Sequence, residues 1–282
     1  MKTSSILVIG GSGFVGSRLI SELNNYEVKN LDKQISPFFN NITTIADITI
    51  PNQIKFFKKF DYVILLAAEH RDDISPSKKY YDVNVHGTKN VLNKMDELGI
   101  KNLIFTSSVA VYGLNKNNPC ENHDVDPFNH YGKSKFKAEQ VIKSWYEKNP
   151  KEKSVTIIRP TVIFGERNRG NVYNLFKQIV SGKFLMIGSG ENKKSMAYVA
   201  NVVSFIVDKI EKKQTGYNVF NYVDKPDFNM NELVCVIEKK MQLNIPKFKI
   251  PFFIGFLVGL MLDFVAFIFK KKLSVSSVRV KK

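Results

Sequence analysis

The chain has 282 residues, enough to bury a full core in one large domain or two smaller ones. Its 44% hydrophobic and 24% charged residues are ordinary globular proportions, but a formal net charge of +16 is not. The excess is lysine scattered along the whole length, with only six arginines, which argues against a nucleic-acid recognition patch. Cys120 and Cys235 form no CxxC, and His70, His86, His123 and His130 have no zinc-ligand spacing, so neither a disulfide framework nor a metal is expected. The N-terminal "MKTSSILVIGGSG" has too short an apolar run for a signal peptide, which predicts a cytoplasmic protein.

In chain order, Ile6–Ile9 reads as a buried strand, then a glycine turn, then a helix whose apolar positions include Phe14, Val15, Leu19, Ile20 and Leu23. Gly10, Gly13 and Gly16 fall in that turn. Bare backbone N–H groups at a helix start bind a pyrophosphate, and glycine lets the backbone approach it closely. The next strand ends at Asp32. A carboxylate there accepts hydrogen bonds from ribose hydroxyls and repels a 2′-phosphate, so NAD is expected as cofactor, with Lys33 leaving room for NADP. Further strands are predicted at Ile42–Ile45, Tyr62–Ala67, Leu103–Thr106 and Val155–Ile158, separated by helical stretches. That alternation implies right-handed crossovers and a doubly wound parallel sheet of the α/β class.

Three tyrosines stand four places before a lysine: Tyr112/Lys116, Tyr131/Lys135 and Tyr173/Lys177. Turn formers follow Tyr112, and Tyr173 lies beyond the last predicted strand of the sheet. Tyr131 opens a long amphipathic helix, where positions i and i+4 share a face. An ammonium beside a phenol lowers its pKa, which makes Tyr131 a candidate general acid/base. Ser108, at the tip of the strand "LIFTSSVAVYG", could bond the same substrate oxygen.

With the glycines and Asp32, the segments "LLAA" (Leu65–Ala68), "NVHGTKN" from Asn84, "SSVAVYG" from Ser107 and "YGKSK" resemble the extended short-chain dehydrogenase/reductase family. Within it, the chain is similar to the nucleotide-sugar epimerases, dehydratases and reductases. "RPTVIFG" and "GENKKSMAYVANVV" extend the resemblance past the sheet. The resemblance implies a catalytic set of Ser108, Tyr131 and Lys135. It implies a cofactor site of Gly10, Gly13, Phe14, Val15, Gly16, Asp32, Asp47, Ile48, Leu66, Ala67, Ala68, Asn84, Ser107 and Pro160, with Tyr131 and Lys135. Val109 and Ala110 stand where 4,6-dehydratases carry an acidic pair, which disfavours dehydration. An NAD-dependent 4-epimerase of a nucleotide sugar, with a UDP-sugar foremost, is the leading expectation. Reduction of a 4-keto nucleotide sugar is the alternative, and a non-catalytic cofactor sensor or assembly protein of the same fold stands third.

Lys194 takes the place of a family arginine that faces the diphosphate, keeping the charge but not the bidentate fork. Arg167 and Asn171 are further candidates for substrate contact, with Ser108. The expected layout is a Rossmann domain over 1–164, with 195–222 packing back on it. A smaller C-terminal α/β substrate domain would comprise 165–194 and 223–282. A homodimer is implied as well. The run Phe252–Phe269, interrupted only by Asp263 and followed by Lys270, Lys271 and Lys272, leaves three settings open. In order, these are packing in that domain or a dimer, peripheral contact with a membrane surface, and a membrane span.

Overall fold

Short apolar strands, each followed by a helix or long crossover, pair in parallel because a return to the same end of the sheet requires one. The structure is a computed structural model and describes residues 4–268 apart from 56–57, 72–73, 115, 117, 183 and 247. Its elements begin with β1 (Ser5–Ile9), α1 (Phe14–Glu22), β2 (Glu27–Asp32), β3 (Thr43–Ile45) and β4 (Tyr62–Leu65). Then come α2 (Lys78–Tyr81), a π-helical stretch (Asp82–Gly87) and α3 (Thr88–Glu97), with no break in the chain between them. Next are β5 (Asn102–Thr106), a 3-10 turn (Val109–Tyr112), α4 (His130–Glu147), β6 (Ser154–Pro160) and β7 (Val162–Phe164). The rest is α5 (Asn171–Val180), β8 (Met186–Ile187), β9 (Lys193–Tyr198), α6 (Val199–Glu211), β10 (Tyr217–Tyr222), β11 (Asp224–Asn229), α7 (Met230–Met241), β12 (Lys249–Ile250) and α8 (Phe252–Ile268).

The chain divides into two compact units, Met1–Arg167 with Met196–Asp224, and Asn168–Ser195 with Lys225–Lys282. The first holds a seven-stranded parallel sheet in the order β10-β6-β5-β4-β1-β2-β3, the doubly wound arrangement expected. Alternate residues of each strand face opposite sides. Leu7, Ile9, Val63, Leu65, Leu103 and Phe105 pack against α3 and α4 through Val91, Met95, Ala138 and Ile142. Ile6, Val8, Ile64 and Ile104 pack on the other side against Leu19 and Ile20 of α1 and Val202 and Ile206 of α6. Each such burial contributes about 1.5–3 kcal/mol.

Two expected strands run past the observed ones. β4 stops at Leu65 because the N–H groups of Leu66 and Ala67 both turn to the carbonyl of Ile9. Ile42 closes a 3-10 turn before β3 begins. β10, which pairs with β6 from Tyr217 to Tyr222, had no counterpart among the predicted strands. Its half-buried, partly polar residues lack the apolar run that marks a central strand.

The second unit pairs β8 with β12 in parallel. Its helix α7 opens with a capping box, in which Asn229 accepts from the Glu232 N–H and Glu232 accepts from the Asn229 N–H. Among the described residues no helix is long and apolar enough to cross a membrane. Lys270, Lys271, Lys272 and the end of the apolar run at Phe269 lie outside the described residues.

Candidate functional site

The carboxyl ends of the parallel strands bring most of the predicted residues to one edge of the first unit. Gly10 follows β1, Asp32 ends β2, Leu66–Ala68 follow β4, Ser107 and Ser108 follow β5, and Pro160 ends β6. Gly10 has φ +91°, and a Cβ there would lie 2.5 Å from the Ala67 nitrogen, so the turn requires glycine. A Cβ at Gly16 would strike the Gly10 carbonyl at 2.5 Å, whereas one at Gly13 would meet only that oxygen, at 3.4 Å. Gly10 and Gly16 thus close the loop on itself, and Gly13 leaves its outer side bare at the start of α1. That cradle suits a pyrophosphate, as the motif requires.

Asp32 sits beside this loop, its Oδ2 accepting from the Ser12 N–H (3.0 Å) and its Oδ1 from the Gln34 N–H (3.0 Å). Sequence reasoning missed Asn30, which is fully buried. It accepts from the Gly11 N–H (2.9 Å) and donates to the Ser12 hydroxyl (3.1 Å) and the Thr43 hydroxyl (2.9 Å). A lone amide between the apolar positions of β2 was the available signal, since such a group is buried only where it is bonded. Replacing Asp32 with alanine is expected to weaken NAD binding roughly tenfold or more, the scale of a lost charged hydrogen bond, and to improve NADP relative to it. Titrating both nucleotides against native and altered protein checks this, and a native preference for NADP contradicts it.

The other predicted cofactor residues divide by placement. Asp47 accepts from the Thr49 N–H (2.8 Å) and hydroxyl (2.7 Å). The Ile48 side chain is buried in the core. Asn84, inside the π-helical stretch, accepts from the Glu69 N–H (2.8 Å) and donates to the Glu69 carbonyl (3.0 Å) and the Ser134 hydroxyl (2.8 Å). It therefore ties the segment after β4 to α4, and works as a brace. The Ser107 hydroxyl is buried with no hydrogen-bond partner among the described residues.

Tyr131 and Lys135 lie on the first turns of α4, as the spacing implied. Asn129 caps this helix, accepting from the Gly132 N–H at 2.8 Å. Gly132 lies against the 3-10 turn that Ser108 caps: a Cβ there would be 2.5 Å from the Ala110 carbonyl oxygen. This close approach presses the turn that begins at Ser108 onto the turn that carries Tyr131. Tyr131 is half-buried, its ring 6.5 Å from that of Tyr80, whose hydroxyl bonds the Arg71 carbonyl. Lys135 is buried, donates to the Thr106 carbonyl (2.7 Å), and has its Nζ 4.6 Å from the Phe105 ring centre. Burial draws its ammonium down to about 7, against the upward pull of Glu139 further along α4.

The other two tyrosine pairs are placed differently. Tyr112 is buried, accepts from Arg159 (2.7 Å) and donates to Asn221 (2.8 Å). Arg159 also forks onto Glu139, Nε to Oε1 at 3.0 Å and Nη2 to Oε2 at 2.6 Å, with both residues buried. Tyr173 is exposed on α5 of the second unit. Of the candidate substrate residues, Arg167 ends the first unit with its guanidinium 4.3 Å from the Phe38 ring centre. Asn171 opens α5 and Lys194 lies in β9, both in the second unit. Among the described residues no cluster of histidine, cysteine or acidic side chains could hold a metal.

Residues 6–222 match the profile of the NAD dependent epimerase/dehydratase family. The chain is 58% identical over 280 residues to the N-acetyl-alpha-D-glucosaminyl-diphospho-ditrans,octacis-undecaprenol 4-epimerase of Escherichia coli O157:H7, covering 99% of this chain and 85% of the relative. It is 30% identical over 267 residues to a UDP-glucose 4-epimerase of Vibrio cholerae, covering 88% of this chain and 78% of the relative. Among solved structures, the UDP-glucuronic acid 4-epimerase of Bacillus cereus in complex with NAD superposes with a TM-score of 0.73 at 23% identity, covering 88% of this chain and 87% of that one.

Proposed function

Because the chain belongs to the NAD dependent epimerase/dehydratase family, we propose that it is an NAD-dependent 4-epimerase acting on an N-acetylglucosamine carried on a polyprenyl diphosphate. The observation that carries this reading is the 58% identity, over 99% of the chain, to an enzyme named for that substrate. The epimerase reading holds over the ketosugar reductase. A nucleotide sugar and a polyprenyl-linked sugar present the same sugar–diphosphate end, so the site chemistry is common to both.

NAD, held at the glycine turn and Asp32, would supply the hydride acceptor and donor for C4 of the sugar. The protein's own residues handle the proton and the oxygen. Tyr131, as phenolate, accepts the C4 hydroxyl proton as the ketone forms and gives it back when the alcohol is restored. Lys135 stabilises that phenolate by its charge, and Ser108 donates to the same oxygen. Inversion needs the 4-keto sugar to present its other face before the hydride returns. With Val109 and Ala110 following Ser108 in the 3-10 turn, neither of those side chains can remove a second proton, so the chemistry stops at C4. Gly10, Gly13 and Gly16 with Asp32 hold the dinucleotide, and Arg167 of the first unit and Asn171 and Lys194 of the second are each candidates for contact with a diphosphate. The second unit is the substrate domain, and a homodimer, implied by the family resemblance, belongs to the same reading.

A lipid-borne substrate brings the enzyme to a membrane surface. The test is incubation of the purified protein with N-acetylglucosaminyl-diphospho-undecaprenol and, separately, UDP-N-acetylglucosamine, with the released sugars resolved. Conversion of the lipid-linked sugar to its C4 epimer at the higher kcat/KM is expected. Turnover of the UDP-sugar alone would return the substrate to the free nucleotide sugars.

A further inference from the structure

Helix α8 has almost no polar character. From Phe252 to Leu262 no residue is polar, and the two buried residues of that stretch are both glycine. Gly255 and Gly259, four positions apart and so on one face, are buried, and a Cβ at Gly255 would strike Ile187 of β8 at 2.4 Å. The large side chains point elsewhere. Phe253 is 69% exposed and Met261 70%, with Phe252, Ile254, Leu257, Val258 and Leu260 exposed as well. Beneath the helix, β8 and β12 run in parallel, so Leu185 and Phe248 enter the pair side by side, and both are exposed. Solitary exposed hydrophobes need no explanation, but a continuous group of nine does.

We infer that α8, with Leu185 and Phe248, is a docking surface for an anionic lipid bilayer, on which the second unit rests while it receives its substrate. This rests on the lipid-linked substrate reading. Charge decides between a bilayer and a second copy of the chain. After Asp263 every charged residue in the sequence is basic: Lys270, Lys271, Lys272, Arg279, Lys281 and Lys282. A second copy at this face would bring the basic residues that follow α8 against their own equivalents, whereas anionic headgroups attract them. Asp263 decides between lying on the bilayer and crossing it. It stands within α8, and an acidic side chain near the middle of a span costs about 2.5–3.5 kcal/mol. A helix of this kind lies in the interface, its apolar side chains below the headgroups and the cations among them.

The experiment sediments the full chain with vesicles of phosphatidylglycerol and phosphatidylethanolamine, and with phosphatidylcholine vesicles. Native protein is compared with a Phe253→Glu/Met261→Glu double variant and with charge reversal at Lys270, Lys271 and Lys272. Native protein should bind the anionic vesicles and release partly at high salt, and the double variant should lose roughly tenfold or more of its partitioning. Each protein is also assayed on a water-soluble, short-prenyl analogue of the sugar diphosphate and on the full-length lipid embedded in vesicles. The double variant should match native protein on the soluble analogue and fall behind on the embedded lipid. Vesicle binding that is absent, or unchanged by the double variant, overturns the docking surface. So does a double variant that dissociates a native oligomer, which would make the face a contact between copies. Failure of native protein to turn over either substrate instead overturns the lipid-linked reading, with vesicle binding still deciding the surface.

Discussion

Replacing Tyr131 with phenylalanine is expected to lower turnover by about 10²–10⁴-fold, the usual contribution of a positioned general acid/base. The ring keeps its place beside Tyr80, and Asn129 still caps the helix, so the substitution removes a hydroxyl without disturbing α4. NAD binding should therefore change little, because the glycine turn and Asp32 lie on other elements of the same edge. Parallel measurements of kcat and of the NAD dissociation constant separate the two effects. Tyr112→Phe is the control. Its hydroxyl is engaged by Arg159 and Asn221, so its loss should act on stability more than on the proton step. Equal falls in kcat at both positions would remove Tyr131 from the catalytic role.

The second large effect is expected at Arg159. Burial alone would lower its pKa, but the hydrogen bonds and charge of Glu139, with a contribution from Tyr112, outweigh that and hold the guanidinium above its ordinary value. Arg159→Met leaves the Glu139 carboxylate buried and unpaired, which should destabilise the first unit by about 3–5 kcal/mol. Adding Glu139→Leu removes the stranded charge and should recover much of that loss. The exposed Arg18–Glu22 pair, at 2.8 Å, offers the contrast, since breaking it should change stability by roughly 0.5 kcal/mol or less. Chemical denaturation of the four proteins tests this. If Arg159→Met is as mild as Arg18→Met, the buried pair does not hold the unit together.

The placement of the proposed Tyr131/Lys135 pair was legible because it is local. Tyr131 and Lys135 share a helix, and helical period alone places them on one face. The glycine turn was legible for the same reason, as its function depends on consecutive backbone. What stayed hidden depends on distant partners. Arg159 and Glu139 are 20 residues apart on different elements, and neither announces itself in a lysine-rich chain. The pressure of Gly132 on the Ala110 carbonyl likewise comes from packing a turn against a helix start. β10 was invisible because it acquires its sheet identity from pairing with β6 rather than from apolar residues of its own. The hydrophobicity of α8 was plain in the sequence, but not that its glycines face inward and its large residues outward.

The π-helical stretch from Asp82 to Gly87 fixes how this chain tolerates changes of length. A turn of that kind holds about one residue more than an α-turn, so it takes up an extra residue with little change of phase between the helical turns on either side. Deleting a single residue there would restore α geometry and leave α2 and α3 nearly in phase, whereas a deletion within α3 would rotate α2 and this stretch together by about 100°. That rotation would turn Tyr80, whose ring lies beside Tyr131, away from it, and Asn84 would no longer span Glu69 and Ser134. A single-residue change of length is therefore better borne in the π-helical stretch than in the α-helical turns after it, and a chimera that exchanges α3 with a relative must preserve its residue count.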